Sequence, residues 1–220
     1  MIGVKKRERA LQIMERLMKE YPEARLTLNF KTPFELLIAT ILAARTRDEV
    51  VNKITPALFQ RFPSAREFAL STPEEIYTYI KSVNMGKNKA IAIHKLCKIL
   101  VERYGGEIPP SIDELTALPG VGRKTANVVL SNSMGIIEGI EVDTHILRVS
   151  YRLGLTTTDK DPEKAERELM QLLPKEKWLK YTHLVKEHGR KICKAPLPLC
   201  DKCFLSDICP KVLTGNKGTS

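Results

Sequence analysis

Leu118-Pro119-Gly120-Val121-Gly122-Arg123-Lys124-Thr125-Ala126-Asn127-Val128-Val129-Leu130 is the stretch on which the reading of the fold turns. Just ahead of it, Ser111-Ile112-Asp113-Glu114 has the form of a capping box, so the spacing predicts a short helix ending at about Ala117. Pro119 and Gly120 break that helix, and Gly122 supplies a second position free of a side chain. A new helix opens at about Arg123, with Ala126, Val129 and Leu130 on one face. The segment at about 112–134 therefore reads as two helices joined by a tight Gly-x-Gly turn. The first amides of the second helix have no partner within it and lie at the positive end of its dipole, so a phosphate can approach them past the two glycines. A plain helix–helix connection is the bland alternative. Lys124 argues against it, because a cation in the first turn opposes the dipole.

Working outward, the helix signals are dense and no stretch alternates with period two. Residues 4–20 place Leu11, Met14, Leu17 and Met18 on one face. Thr32-Pro33-Phe34-Glu35 opens an almost wholly apolar helix through Ala44. Asp48 to about Arg61 carries Val50, Val51, Ile54, Leu58 and Phe59, with Pro56 predicting a break or an irregular turn. Ser64 and Thr72 start two short helices. Lys87 to Tyr104 is a longer one, with Ile91, His94, Leu96, Leu100 and Val101 as its apolar set. Beyond the hairpin, Asp143 and Asp161 each begin a helix, and a last helix around Trp178–His188 stops at Gly189. About ten helices with short connections predict an all-α protein.

The 220 residues suffice for one large domain or two interlocked ones, with both chain ends in one and the middle in the other. The formal charge of +10 suits a polyanionic partner. No run of about 18 apolar residues exists, so no membrane span is expected. The start of the chain turns directly into a charged helix and does not read as a signal peptide, which points to the cytoplasm. A disordered tail is expected over 214–220.

Two further constellations carry chemistry. In Glu141-Val142-Asp143-Thr144-His145, Asp143 is a helix N-cap, and an ionised carboxylate there can also face a developing cation or accept a proton. His145 reads as hydrogen-bonded structure. Cys193-x6-Cys200-x2-Cys203-x5-Cys209 gathers four of the five cysteines into 17 residues. That spacing suits an iron–sulfur cluster or zinc, and disulfides less well. Cys97 reads as a small core residue. Lys124 itself is either a nucleophile, whose amine must be neutral to attack, or a point charge on a phosphate.

Together, the hairpin with Lys124, the V-D-T-H stretch with Asp143 and the four-cysteine tail, in this order and at these distances, resemble the endonuclease III family of helix-hairpin-helix DNA glycosylases. The resemblance covers roughly residues 5–211. It implies a six-helix barrel at 26–137, and a cluster domain built from 1–25 and 138–213 that carries a 4Fe–4S cluster on Cys193, Cys200, Cys203 and Cys209. It implies a bifunctional DNA glycosylase and abasic-site lyase acting as a monomer on double-stranded DNA with a damaged base or an abasic site. Lys124 would be the nucleophile at C1′ and Asp143 the assisting carboxylate, with Gly120, Val121, Gly122 and Arg123 gripping the DNA backbone. Three positions depart from the family pattern. Arg45 stands where Gln is common, at a position that reaches into the gap left by the flipped base, which points toward thymine or uracil opposite guanine. Met85 stands where the family's stack-filling wedge is usually Leu. Lys194 is the one cation between Cys193 and Cys200, so Arg190, Lys191 and Lys202 are the candidate substitutes for phosphate contact. A mismatch-specific glycosylase and a non-catalytic damage-binding module are the alternatives.

Overall fold

Side-chain caps decide where most helices begin. The computed structural model describes residues 4–212; the expected disordered tail at 214–220 lies outside them. Eleven α-helices follow one another: α1 (Val4–Glu20), α2 (Pro33–Ala43), α3 (Asp48–Arg61), α4 (Ala65–Leu70), α5 (Pro73–Tyr79), α6 (Gly86–Tyr104), α7 (Ile112–Thr116), α8 (Arg123–Ser133), α9 (Thr144–Arg152), α10 (Pro162–Leu172) and α11 (Trp178–Lys191). The described residues contain no strand, as the all-α reading requires. Thr32, Ser64, Thr72, Ser111, Asp143 and Asp161 each accept a backbone N–H from the first turn of the helix that follows.

Three local expectations are corrected. Pro56 does not break α3, which runs through it to Arg61. Its ring is exposed, so the carbonyl deprived of a partner can turn to water. Gly189 does not end α11, which continues to Lys191. A Cβ at Gly189 would stand 3.1 Å from Val149 Cγ2 and 3.1 Å from His145 Nδ1, so this glycine serves close packing of α11 on α9. On α6, Ile91 is exposed and the buried stripe runs through Gly86, Lys89, Ala90, Ile93, Leu96, Cys97 and Leu100.

The chain divides into two compact units, Thr27–Glu138 and the flanking segments up to Leu26 and from Gly139 onward. In the first, the apolar helix α2 lies against α3, α6 and α8, while α4 and α5 cover α6. Phe62 and Phe68 pack at a 32° tilt with ring centroids 4.8 Å apart, and Phe34 meets Phe68 and Tyr79 meets Phe62 edge-on. In the second, α1 packs on α11 and α10, and α11 on α9. The buried face of α1 is Ala10, Ile13, Met14 and Leu17. Polar anchors reinforce it. The Arg16 fork donates to both carboxylate oxygens of Asp207, at 2.6 and 2.8 Å, and to the Phe204 carbonyl at 3.1 Å.

One buried histidine makes this second unit sensitive to acid. His183 on α11 is pushed down to about pKa 4 by burial first and then by Lys186 and Lys180, and its Nδ1 has no hydrogen-bond partner among the described residues. An unfolded histidine titrates near 6.5. The folded value is depressed, so the stability involved is present above about pH 6.5 and is lost as pH falls toward 4. The loss attributable to His183 is up to about 3 kcal/mol. Urea melts at pH 7.5 and 4.5 should show a smaller difference for His183→Leu than for the parent; equal differences would assign the acid sensitivity elsewhere.

Candidate functional site

The hairpin is built from a turn that closes on itself. The Val121 N–H donates to the Leu118 carbonyl at 3.2 Å, and both side chains are buried, fixing the turn to the core of its unit. The two glycines differ in role. Gly120 has φ +78°, and a Cβ there would stand 3.3 Å from Ala92 Cβ, so the fold itself requires it. Gly122 has φ −94°, and nothing lies within 4 Å of its Cβ position. The packing therefore does not demand glycine there. As N-cap residue it offers no side-chain acceptor to the first amides of α8 and leaves the approach to them unobstructed. Arg123 and Lys124 follow, both exposed.

In the same unit, Arg45 and Met85 occupy the tips of two loops. Both are exposed, and both have left-handed backbones, with φ +60° and +58°. Residues with a Cβ rarely adopt this conformation outside functional or tightly constrained positions.

The Asp143 site lies in the other unit. One carboxylate oxygen, Oδ1, accepts the His145 and Ile146 N–H groups at 2.8 and 2.9 Å, the predicted N-cap. The second oxygen, Oδ2, is 3.5 Å from Lys186 Nζ, which also donates to Glu141 Oε1 at 3.2 Å. Burial alone would lower the Lys186 pKa, but the carboxylates of Glu141 and Asp143 outweigh it, and the amine is held protonated. His145 is pushed the other way, chiefly by burial and against the pull of Asp143. Its Nδ1 is 3.2 Å from Arg148 Nη2, in accord with a structural histidine.

The four cysteines of the tail ring one cavity, together with Arg152, His188, Ile192 and Lys211. Short 3-10 and turn segments carry them, held by arginines. Arg152 is buried and donates to the carbonyls of Lys194 and Pro196 at 2.7 and 2.8 Å, with Nη1 3.8 Å from Cys193 Sγ. Arg148 donates to the Cys193 and Gly189 carbonyls. His188 Nε2 is 3.7 Å from Cys203 Sγ, and the Lys211 N–H donates to Cys209 Sγ at 3.3 Å. Among the described residues no carboxylate pairs with Arg152, and no three His, Cys, Asp or Glu side chains are arranged to hold a single metal ion. A buried guanidinium without a carboxylate, beside four thiols, fits a cavity whose contents carry net negative charge. Cys97 is buried on α6, far along the chain from this set. Of the other cations singled out in the sequence, Lys191 pairs with Glu187 at 2.9 Å and lies over the Tyr21 ring, while Lys194 and Lys202 are exposed. Lys186, Arg152 and His188 are site residues that the sequence reading missed.

This helical architecture with a glycine hairpin has known counterparts. A family model described as the HhH-GPD superfamily of base excision DNA repair proteins matches residues 38–175. Endonuclease III of Synechocystis sp. is 47% identical over 205 residues, covering 93% of this chain and 93% of that protein. Endonuclease III of Thermotoga maritima is 41% identical over 212 residues, covering 96% and 95%. Among solved structures, an endonuclease III trapped as a covalent intermediate with DNA superposes with a TM-score of 0.88 at 40% identity, covering 96% of this chain and 97% of that one. A non-covalent endonuclease III–DNA complex matches equally well. The chain belongs to the endonuclease III family within the HhH-GPD superfamily of base excision DNA repair proteins.

Proposed function

We propose that this chain is a bifunctional DNA glycosylase and abasic-site lyase that removes oxidised pyrimidines from double-stranded DNA and nicks the strand 3′ to the site. It would work in the cytoplasm, associated with the nucleoid. The observation that carries the reading is Lys124, an exposed amine in the first turn of a helix whose N-cap is glycine with open space around it. The hairpin amides and Arg123 grip a backbone phosphate. The damaged nucleotide leaves the stack, at a cost of a few kcal/mol that is smaller for damaged or mispaired bases. Lys124 attacks C1′ as the glycosidic bond to the base breaks, and Asp143 stabilises the positive charge developing on the sugar. Opening of the sugar at its C1′–O4′ bond converts the Lys124 adduct to an iminium, and loss of a C2′ proton then expels the 3′ phosphate by β-elimination. Thr27–Glu138 serves as the barrel domain of the family, and the unit built from both chain ends as its cluster domain.

Cys193, Cys200, Cys203 and Cys209 would hold a 4Fe–4S cluster, with zinc as the alternative occupant. Four thiolates around a cluster leave a net negative charge, which the buried Arg152 complements. When bound, the group supplies a structural crosslink for an irregular segment.

Asp143 has two separable duties. Asp143→Asn keeps an N-cap acceptor but removes a charge that faces Lys186, which Glu141 still pairs, so thermal stability should fall by only about 1 kcal/mol. Base excision should slow about a hundredfold or more. Single-turnover excision alongside a thermal melt checks this, and a variant as active as the parent would remove Asp143 from the chemistry.

Arg45 favours a second reading of the substrate. Its guanidinium only donates hydrogen bonds, and a guanine edge offers acceptors. A panel of duplexes, each holding one lesion or mismatch, separates the two readings. Fastest excision of oxidised pyrimidines supports the first; fastest excision of thymine or uracil opposite guanine supports the second.

A further inference from the structure

Two left-handed residues with full side chains lie at the tips of neighbouring loops, and among the described residues the hydrogen bonds that tie the loops together run in one direction. The donors come from residues 84–89 and the acceptors from 42–46. Lys89 Nζ donates to the Leu42 carbonyl at 2.8 Å and to the Ala44 carbonyl at 2.5 Å. The Leu42 carbonyl belongs to the last turn of α2 and the Ala44 carbonyl to its C-cap, where helical partners run out and a cation is favoured. The Asn84 N–H donates to Thr46 Oγ1 at 3.1 Å, and its side-chain Nδ2 donates to the Arg45 carbonyl. Arg45 and Met85 stand between these bonds, Arg45 flanked by the acceptors at Ala44 and Thr46 and Met85 by the donors Asn84 and Lys89.

Lys89 is an unusual residue for this duty. It is only 8% exposed, on the face of α6 otherwise made of Gly86, Ala90 and Ile93. Burial pushes its pKa below the ordinary lysine value, and no carboxylate offsets that. A buried amine in such a place costs stability unless its donors are satisfied. It holds two backbone carbonyls of the other loop.

We propose that Lys89 and Asn84 form a clasp whose task is to present Arg45 and Met85 to the duplex at one fixed spacing. They are positioning residues for the extrusion of the damaged base. The clasp keeps both backbones in the left-handed region before DNA arrives, so that the strain is met by the protein's own hydrogen bonds and not by the encounter with DNA. The inference rests on the reading, given under Proposed function, of this chain as a base-extruding glycosylase whose two loop tips enter the stack.

Asn84→Ala tests it without threatening the fold, because Asn84 is exposed. Lys89→Met removes the buried amine at similar volume, and Lys89→Arg restores donors. The readouts are single-turnover excision, duplex affinity, and the fluorescence of 2-aminopurine placed opposite the lesion, which reports unstacking. Asn84→Ala should keep affinity within about twofold, lower excision about tenfold and reduce the fluorescence rise. Lys89→Met should do the same more strongly, with partial recovery in Lys89→Arg. Cleavage of a preformed abasic site, where no base is extruded, should fall much less. In an Arg45→Ala and Met85→Ala background, Asn84→Ala should have no further effect. An undiminished effect in that background would show a merely structural role and overturn the clasp. Unchanged excision and fluorescence in Asn84→Ala and Lys89→Met would overturn it too. If Arg45→Ala and Met85→Ala themselves lose nothing in an active enzyme, the reading of the tips fails and takes the clasp with it. Absence of any glycosylase activity in the parent would instead overturn the function proposed above.

Discussion

Lys124→Ala is expected to abolish the covalent adduct that borohydride traps between this protein and abasic DNA, and to slow strand nicking by at least about a thousandfold. Duplex affinity should fall only a few-fold, because the hairpin amides and Arg123 remain. The fold should be unaffected, since Lys124 is exposed. The prediction is specific to this lysine because two others compete for the role. Burial lowers the Lys89 pKa, which favours the neutral amine that attack requires. Its amine, however, is buried and spent on two carbonyls. Lys186 adjoins the carboxylate expected to assist, but Glu141 and Asp143 keep it protonated, and a protonated amine is no nucleophile. Trapping should therefore survive in Lys186→Met, provided that variant folds, and vanish in Lys124→Ala. An adduct that persists in Lys124→Ala would make Lys89 or Lys186 the nucleophile.

Replacing one cluster ligand should have the second large effect. The parent protein should be brown, with iron and acid-labile sulfide in equal amounts. Cys203→Ser should lose most of that iron and about 4 kcal/mol or more of stability, a drop in Tm on the order of 10 °C for a chain of this size. The reason lies in the cavity. The segment from Cys193 to Cys209 has little regular structure, and the buried Arg152 has no carboxylate partner among the described residues. Emptying the cavity leaves that guanidinium without its counter-charge and the loops without their crosslink. A colourless protein with one zinc per chain, or a Cys203→Ser variant that melts with the parent, would contradict this account.

How far the residues themselves told this story varies by the kind of interaction. Caps are local, and so Thr32, Ser64, Thr72, Ser111, Asp143 and Asp161 could be read from one or two turns of sequence. The hairpin was legible for the same reason. Gly189 looked like a stop because glycine usually is one; its real neighbour, Val149, is 40 residues away, and only packing reveals it. Pro56 looked like a break, yet its ring faces solvent and the helix tolerates it. Lys89 left a faint signal. It falls in phase with Ala90, Ile93, Leu96 and Cys97, where an amphipathic helix calls for an apolar residue. Lys186 left a similar one on α11, beside buried Thr182, Val185 and Gly189. Arg152 could not be recognised, because its partners at Lys194 and Pro196 are distant in sequence.

The burial of α1 against α11 has a consequence for synthesis on the ribosome. The face formed by Ala10, Ile13, Met14 and Leu17 leaves the ribosome well before its cover, which begins with α10 at Pro162 and is completed by α11 from Trp178. At about 5–20 residues per second, the nascent chain carries that apolar stripe uncovered for on the order of ten seconds or more. The continuous unit Thr27–Glu138 has all its helices by then and can fold while the opening helix waits. Translation pauses before Pro162 would lengthen the wait, and a holdase chaperone that binds short apolar helices would have its window there.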